Sequence, residues 1–188
     1  LESMHLDDNS LGKSSQCAEF LKSLFEAMDQ GRLPKLERLY LSGNNLGEPD
    51  TGIIQSLTVS LHTLKILDLS DNGLGKSSQC AGLLNSLFSA KHQSRLPKLE
   101  RLHLSCNQLG KTPREDMELL IHSLSTIKCS TLCQLYLDDN GLGHNPSLCT
   151  ELMKSLCQAV LENRLPELWD LNLSGNSLDA APGAITAL

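Results

Sequence analysis

Aromatic side chains are scarce in this sequence, since three Phe, two Tyr and one Trp make up only 3% of its 188 residues. No apolar run approaches the roughly 20 residues that a membrane-spanning helix needs, and the first residues lack the basic start and apolar stretch of a signal peptide. Basic side chains are in the minority, because 16 Lys and Arg against 22 Asp and Glu leave a net charge of −6. The sequence therefore predicts neither a membrane protein nor a nucleic-acid-binding protein, which normally shows a basic face.

The seven cysteines do not form the even, regularly spaced set of a secreted disulfide framework. Cys17 and Cys80 occupy equivalent positions of a repeat, on predicted helix faces where a thiol serves as a small apolar side chain. These features indicate a reducing compartment, and we predict a cytoplasmic protein.

Leucine, in contrast, is abundant, at 41 of 188 residues. It recurs six times in the pattern Leu-x-x-Leu-x-Leu-x-x-Asn-x-Leu-Gly, with Met4 in place of one leucine and Asp179 in place of one glycine. A segment longer than one repeat is also duplicated, because residues 6–47 and 69–110 match at 30 of 42 positions. The asparagines of the pattern, here called the ladder asparagines, are Asn9, Asn44, Asn72, Asn107, Asn140 and Asn176.

Each repeat combines the periodicity of a strand with that of a helix. In Leu-x-Leu the leucines alternate with variable residues, which predicts a strand with its leucines inside. Further along, apolar residues step by three and four, which predicts an amphipathic helix. One such stripe comprises Cys17, Phe20, Leu21, Leu24 and Met28, and another comprises Cys149, Leu152, Met153, Leu156 and Val160.

Short polar motifs predict where these helices begin and end. Thr112 with Pro113 is typical of a helix start with Thr as the N-cap, and Asn145-Pro146 predicts another start. Arg-Leu-Pro at 32–34, 95–97 and 164–166 predicts the end of each long helix. We expect the ladder asparagines to bond the main chain of the turn after each strand. The glycine at the end of the repeat pattern is expected to adopt a backbone conformation that is unfavourable for other residues.

A single strand–turn–helix unit cannot bury its own leucines, so the units must stack. Strands stack about 4.8 Å apart while helices need 8–10 Å. The stack therefore bends, with a parallel sheet on its concave face and helices on its convex face.

This pattern resembles the leucine-rich-repeat family, in the form found in ribonuclease inhibitor, in nucleotide-binding leucine-rich-repeat receptors of innate immunity and in the GTPase-activating protein for Ran. The resemblance implies an α/β leucine-rich-repeat solenoid, or horseshoe, of six repeats. Because neither end carries a cap, we expect a fragment of a larger protein that can associate through its ends. The repeats are predicted at about 1–35, 36–63, 64–98, 99–131, 132–167 and 168–188.

No arrangement of residues predicts catalysis, so we expect a non-enzymatic chain with no cofactor and no metal site. Gly-Lys-Ser-Ser at 12–15 and 75–78 has the tail of a phosphate-binding loop, but Asp7 and Ser70 replace its first glycine. Cys129 and Cys133 lack the paired spacing of a zinc site.

The variable strand positions are the best candidates for binding, because all six strands would present them on the concave face. Tyr, His and Arg at such positions are typical of protein interfaces, although Tyr and His also suit strand centres on propensity alone. The candidate ligand-binding residues are His5, Arg38, Tyr40, Asp68, Arg101, His103, Gln134, Tyr136, Asp170 and Asn172.

The charges on this face are mixed. Arg38 and Arg101 each follow a glutamate, Glu37 and Glu100, so local pairing is expected to neutralise them. Aspartates cluster where the strands end, as at Asp7, which favours a protein partner with a basic patch.

These features predict a module that recognises a protein on its concave sheet. The resemblance implies that it is the ligand-sensing or autoinhibitory repeat domain of a cytosolic innate immune receptor. The alternative is an enzyme regulator, either a ribonuclease inhibitor or a GTPase activator, and a third hypothesis is a scaffold that binds through its convex helices.

Overall fold

The computed structural model describes residues 1–47, 53, 57, 63–76, 80–88, 98–127 and 129–181. Within them six short strands form one parallel sheet in chain order, which confirms the predicted solenoid. The central residue of each strand is the predicted inward side chain, and Leu39, Leu67, Leu102 and Leu135 are fully buried. The strands are β1 (Ser3–His5), β2 (Arg38–Tyr40), β3 (Ile66–Asp68), β4 (Arg101–His103), β5 (Gln134–Tyr136) and β6 (Asp170–Asn172).

The helices lie on the other side of the leucine core from the sheet, and neighbouring helices pack against each other. A single 3-10 turn follows each asparagine for which the turn is described, an element that the sequence pattern did not predict. The α-helices are α1 (Ser15–Asp29), α2 (Cys80–Phe88), α3 (Arg114–Thr126) and α4 (Pro146–Leu161). The 3-10 turns span Leu11–Lys13, Leu74–Lys76, Leu109–Lys111, Leu142–His144 and Leu178–Ala180.

The predicted apolar stripes are correct in period but wrong at two positions. Phe20 is 48% exposed and Val160 is 47% exposed, whereas Ala18 and Ala159 are buried in the same helices. Alanine therefore lies on the inner face of these helices at positions near a more exposed Phe or Val. A reading by hydrophobicity favours the larger Phe and Val instead.

Both predicted helix starts are confirmed, since α4 begins at Pro146 and α3 at Arg114, but Thr112 is not the N-cap of α3. Asn145 caps α4, since its Oδ1 accepts a hydrogen bond from the backbone N–H of Leu148 at 3.2 Å, with Pro146 at the first helical position. Thr112 instead ends a 3-10 turn, because its N–H donates to the Leu109 carbonyl at 3.1 Å. Pro113 then intervenes before α3, and the Thr112 hydroxyl is buried with no hydrogen-bond partner among the described residues.

The long helices α1 and α4 end before Arg-Leu-Pro, through a left-handed residue. Gly31 and Asn163 adopt φ of 67° and 54°. The chain then bonds back across the helix end, with Arg32 N–H donating to Ala27 O and Arg164 N–H to Ala159 O, each at 2.8 Å. This is the bonding of a Schellman-type cap, so the proline follows a helix that has already ended. The copy at 95–97 lies outside the described residues.

The ladder asparagines bond adjacent repeats together. The Nδ2 of Asn107 donates to the Leu69 carbonyl of the preceding repeat at 2.8 Å and to the Leu104 carbonyl of its own repeat at 3.0 Å. Its Oδ1 accepts from the backbone N–H groups of Asn72 and Leu74 at 3.0 and 3.2 Å. From Asn44 to Asn176 these side chains are at most 1% exposed, whereas Asn9 is exposed.

The glycines of the repeat pattern have a different role from the predicted one. Gly12, Gly75 and Gly110 do not adopt a positive φ. A Cβ at any of them would overlap a backbone carbonyl of the next repeat, which for Gly110 is that of Gly141. These glycines therefore permit close stacking, while the left-handed conformations fall on the residues that flank each ladder asparagine, such as Cys106 and Gln108.

Arg164 makes a further contact between repeats that the sequence pattern did not indicate. Its Nη1 donates to the carbonyls of Leu124, Ser125 and Ile127 at 3.2, 2.7 and 3.2 Å, and its side chain is only 16% exposed. The guanidinium therefore satisfies carbonyls at the C-terminus of α3 and lies at the negative end of the helix dipole.

Arg164→Ala is expected to lower the free energy of unfolding by about 2 kcal/mol, since partly buried carbonyls at the C-terminus of α3 lose a charged donor. Urea denaturation followed by circular dichroism measures the change. Arg32→Ala is the matched control, because Arg32 occupies the same position of the first repeat and is exposed. Equal effects of the two substitutions would show that the contact with α3 does not stabilise the array.

Candidate protein-binding surface

The parallel register brings all ten candidate residues into two columns on the outer face of the sheet. Residues flanking the buried strand centres point outward, because strand side chains alternate. Their binding role stays a prediction. The arginine column consists of Ser3, Arg38, Ile66, Arg101, Gln134 and Asp170. The aromatic column consists of His5, Tyr40, Asp68, His103, Tyr136 and Asn172.

Two ring stacks form in the aromatic column. The rings of His5 and Tyr40 lie 4.5 Å apart at 8°, and those of His103 and Tyr136 lie 4.6 Å apart at 17°. The distance between neighbouring strands in a sheet is about 4.8 Å, so rings at equivalent positions of adjacent repeats meet face to face. Stacking with the neighbouring strand holds each tyrosine in place on an otherwise open surface.

A polar network orients Tyr136. Its hydroxyl donates to Asp170 Oδ2 at 2.7 Å, and Gln134 Nε2 donates to the same oxygen at 3.0 Å. The hydrogen bond to Asp170, together with partial desolvation and the negative charge of that carboxylate, raises the pKa of the Tyr136 hydroxyl. The tyrosine therefore stays a neutral donor that links the last two strands.

Asp68 and His103 form a second polar pair, with His103 Nδ1 at 3.6 Å from Asp68 Oδ2. Burial acts to raise the pKa of Asp68, but hydrogen bonds with His103 and Ser70 outweigh it and leave that pKa below its ordinary value. The other ring nitrogen of His103, Nε2, is buried and has no hydrogen-bond partner among the described residues.

The expected pairing of the arginines with their preceding glutamates is wrong. Lys65 Nζ lies 3.0 Å from Glu37 Oε2 and takes that partner. Among the described residues, the Arg38 side chain forms one hydrogen bond, to the Ser3 hydroxyl at 3.4 Å, and Arg101 forms no hydrogen bond or ion pair. Glu37 and Lys65 each lie directly before their strand, and the register makes them neighbours, since the Lys65 N–H donates to the Glu37 carbonyl at 2.7 Å.

These side chains line a groove of about 380 Å³ across β2, β3 and β4. Both arginines are exposed along it, and Ile66 lies between them in the register. The groove is therefore cationic at two points around an apolar side chain. Its lining residues are Glu37, Arg38, Tyr40, Lys65, Ile66, Glu100 and Arg101.

Trp169 is a candidate that the sequence analysis missed. It directly precedes β6, its backbone N–H donates to the Cys133 carbonyl at 3.1 Å, and it is 71% exposed. The position before the strand is Glu2, Glu37, Lys65, Glu100 or Cys133 in the other repeats. The chain's single tryptophan at this otherwise non-aromatic position was the signal that could have identified it.

The ends of the strands form an acidic edge, as the sequence predicts, but part of this charge is used internally. Asp7 Oδ1 accepts from the Ser42 N–H at 3.0 Å, and Asp138 Oδ1 accepts from the Ser105 hydroxyl at 2.7 Å. Burial and the nearby aspartates, Asp139 foremost, raise the pKa of the exposed Cys106 thiol.

Within the described ranges no three His, Cys, Asp or Glu side chains are placed to hold a metal ion, and no helix there is long and apolar enough to span a membrane.

Comparison with known proteins supports the repeat assignment. Models of the leucine-rich repeat match residues 35–57, 60–77 and 95–112. The chain is 32% identical over 158 residues to Tonsoku-like protein of Danio rerio (82% of this chain, 10% of that protein) and 35% identical over 114 residues to Tonsoku-like protein of Bos taurus (57% and 7%). It is 34% identical over 88 residues to protein NLRC5 of Mus musculus (47% and 4%).

The chain spans at most a tenth of the length of these relatives. No solved structure matches it. The six-stranded parallel sheet and the family models together show that the chain carries leucine-rich repeats folded as a solenoid.

Proposed function

We propose that this chain is a non-catalytic recognition module that binds a protein partner on its concave sheet. Leucine-rich repeats are in general protein-interaction modules. The observation that supports the concave face is the outward placement of Tyr136 on β5 and of the exposed Arg101 on the adjacent strand β4, with the exposed Trp169 directly before β6. Tyr, Trp and Arg are the residue types that contribute most binding energy in protein interfaces.

We propose further that the module belongs to a cytoplasmic receptor in which the repeats sense a ligand or hold the receptor inactive. The similarity to protein NLRC5 supports this assignment. Six cysteines with free thiols among the described residues are compatible with a reducing compartment. The Tonsoku-like proteins, which match more of the chain, are a second class of parent.

Trp169→Ala is expected to reduce recovery of a specific partner about tenfold, because an exposed aromatic anchor is lost. Quantitative mass spectrometry of proteins retained by the immobilised chain measures the recovery, and thermal unfolding checks that the fold is unchanged. Leu161→Ala is the matched control, since Leu161 is 80% exposed at the end of α4. Partners lost with Leu161→Ala and retained with Trp169→Ala would instead assign binding to the convex helices.

The acidic edge favours one alternative function, inhibition of a basic enzyme such as a ribonuclease. Asp71, Asp138 and Asp139 lie at this edge, close enough to Cys106 to influence its thiol. Adding the chain to a ribonuclease assay tests this alternative directly. Adding it to a GTPase assay tests the other regulator hypothesis, that the chain is a GTPase activator. Inhibition that is lost in Asp138→Asn would favour the regulator over the receptor.

A further inference from the structure

The groove across β2, β3 and β4 places two arginines on either side of an apolar residue, an arrangement that favours a negatively charged ligand. Its three central positions are in register as Arg38, Ile66 and Arg101, on consecutive strands. With about 4.8 Å between strands, the two arginine backbones lie roughly 10 Å apart with the isoleucine midway. Ile66 is the one apolar residue of the arginine column, so this short apolar segment is bordered by a guanidinium on each side.

The charges in the groove are not balanced internally. Lys65 neutralises Glu37, which leaves the two arginines and Glu100 without ion pairs among the described residues. A guanidinium binds a carboxylate by donating two parallel hydrogen bonds, so an exposed pair of arginines is well suited to bind two carboxylates. At physiological salt the screening length is about 8 Å, so these local charges outweigh the net negative charge of the whole chain.

We propose that this groove binds an acidic, partly aliphatic segment of the partner protein, with an aliphatic side chain over Ile66 and one carboxylate at each arginine. This inference depends on the proposed function, because it names the class of partner for the same concave face. In an extended segment, residues two apart point the same way, about 6.7 Å from each other. A Glu-Ser-Leu-Ser-Glu segment therefore presents leucine between two carboxylates at a span that flexible arginine side chains can reach.

Fluorescence anisotropy with the labelled peptide Gly-Ser-Glu-Ser-Leu-Ser-Glu-Ser tests the proposal. The peptide should bind at least tenfold more tightly than the analogues with Gln or Lys in place of Glu. Arg38→Gln and Arg101→Gln should each weaken binding about tenfold, as expected when a carboxylate loses a charged hydrogen-bond donor. Glu100→Gln should tighten binding about twofold, because it removes a like charge from the groove.

Arg114→Gln is the control of equal charge change, since Arg114 is exposed on the convex helix α3 and pairs with Glu118. It should leave the affinity unchanged. Tighter binding of the Lys analogue, weaker binding in Glu100→Gln, an effect below twofold in both groove arginine variants, or no binding of the acidic peptide up to about 1 mM would each overturn the proposal. Partner recovery that depends on Trp169 would then still support concave-face recognition, so failure of the groove assignment is separate from failure of the proposed function.

Discussion

Asn107→Ala is expected to lower the free energy of unfolding by about 4 kcal/mol, one of the largest effects of any single substitution in the chain. The side chain is fully buried, and its Nδ2 donates to the carbonyls of Leu69 and Leu104. Its Oδ1 accepts from the N–H groups of Asn72 and Leu74. Alanine leaves these backbone groups buried and unpaired, and water cannot reach them between the stacked repeats.

Urea denaturation of the wild-type chain and of Asn107→Ala measures this difference. Asn9→Ala is the matched control, because Asn9 occupies the same position of the first repeat but is exposed. Within the described part of the chain, the Nδ2 of Asn9 bonds carbonyls of its own repeat alone, those of Leu6 and Asp7, at 3.0 and 2.8 Å. We expect Asn9→Ala to change the free energy of unfolding by less than about 1 kcal/mol. A loss below that value at position 107 as well would mean that the ladder contributes little to stability.

The fold could be predicted because the same information is repeated six times. A misread residue in one repeat is corrected by its equivalents in the other five, as where Met4 takes the place of a leucine. The direction of Leu39 and Leu102 follows from strand alternation alone, and both are fully buried. The register then follows from the pattern, because equal positions must stack if the leucines are to share one core.

Details that depend on the distance between repeats could not be predicted. The inner face of α1 uses Ala18 where hydrophobicity alone favours Phe20. The Thr112 hydroxyl does not cap α3, since a 3-10 turn bonded to Leu109 occupies that stretch of chain. In both cases a neighbouring element restricts the space, and a single-sequence pattern carries no information on that space.

On the candidate surface, too, the face of each residue could be predicted from the sequence but its contacts could not. Strand alternation placed the variable residues on one face, but the partner of each side chain depended on its neighbours across the sheet. Glu37 pairs with Lys65, which directly precedes the adjacent strand, rather than with Arg38 next to it in the chain. Trp169 was missed because it lies just outside the strand, where alternation no longer specifies a direction.

Gly110→Ala is expected to destabilise the array by at least about 3 kcal/mol, through backbone overlap rather than backbone conformation. A Cβ at this position would overlap the carbonyl of Gly141, and the Leu142 nitrogen lies 2.9 Å away. Side chains can rotate away from an added methyl group, but these contacts are backbone atoms held by the Gly110 N–H bond to Asn140 O at 2.9 Å. The two repeats must therefore separate, which weakens the core between them.

Gly82→Ala is the control that distinguishes overlap from a general effect of replacing glycine. Gly82 is exposed in α2, and no atom lies within 4 Å of an added Cβ. Alanine should stabilise this helix by about 0.5–1 kcal/mol, because it restricts the unfolded chain and favours helix. Urea denaturation should thus give opposite signs for the two variants. A Gly110→Ala protein as stable as the wild type would show that the repeats stack further apart than the structure has them, and that the glycine of the pattern has another purpose.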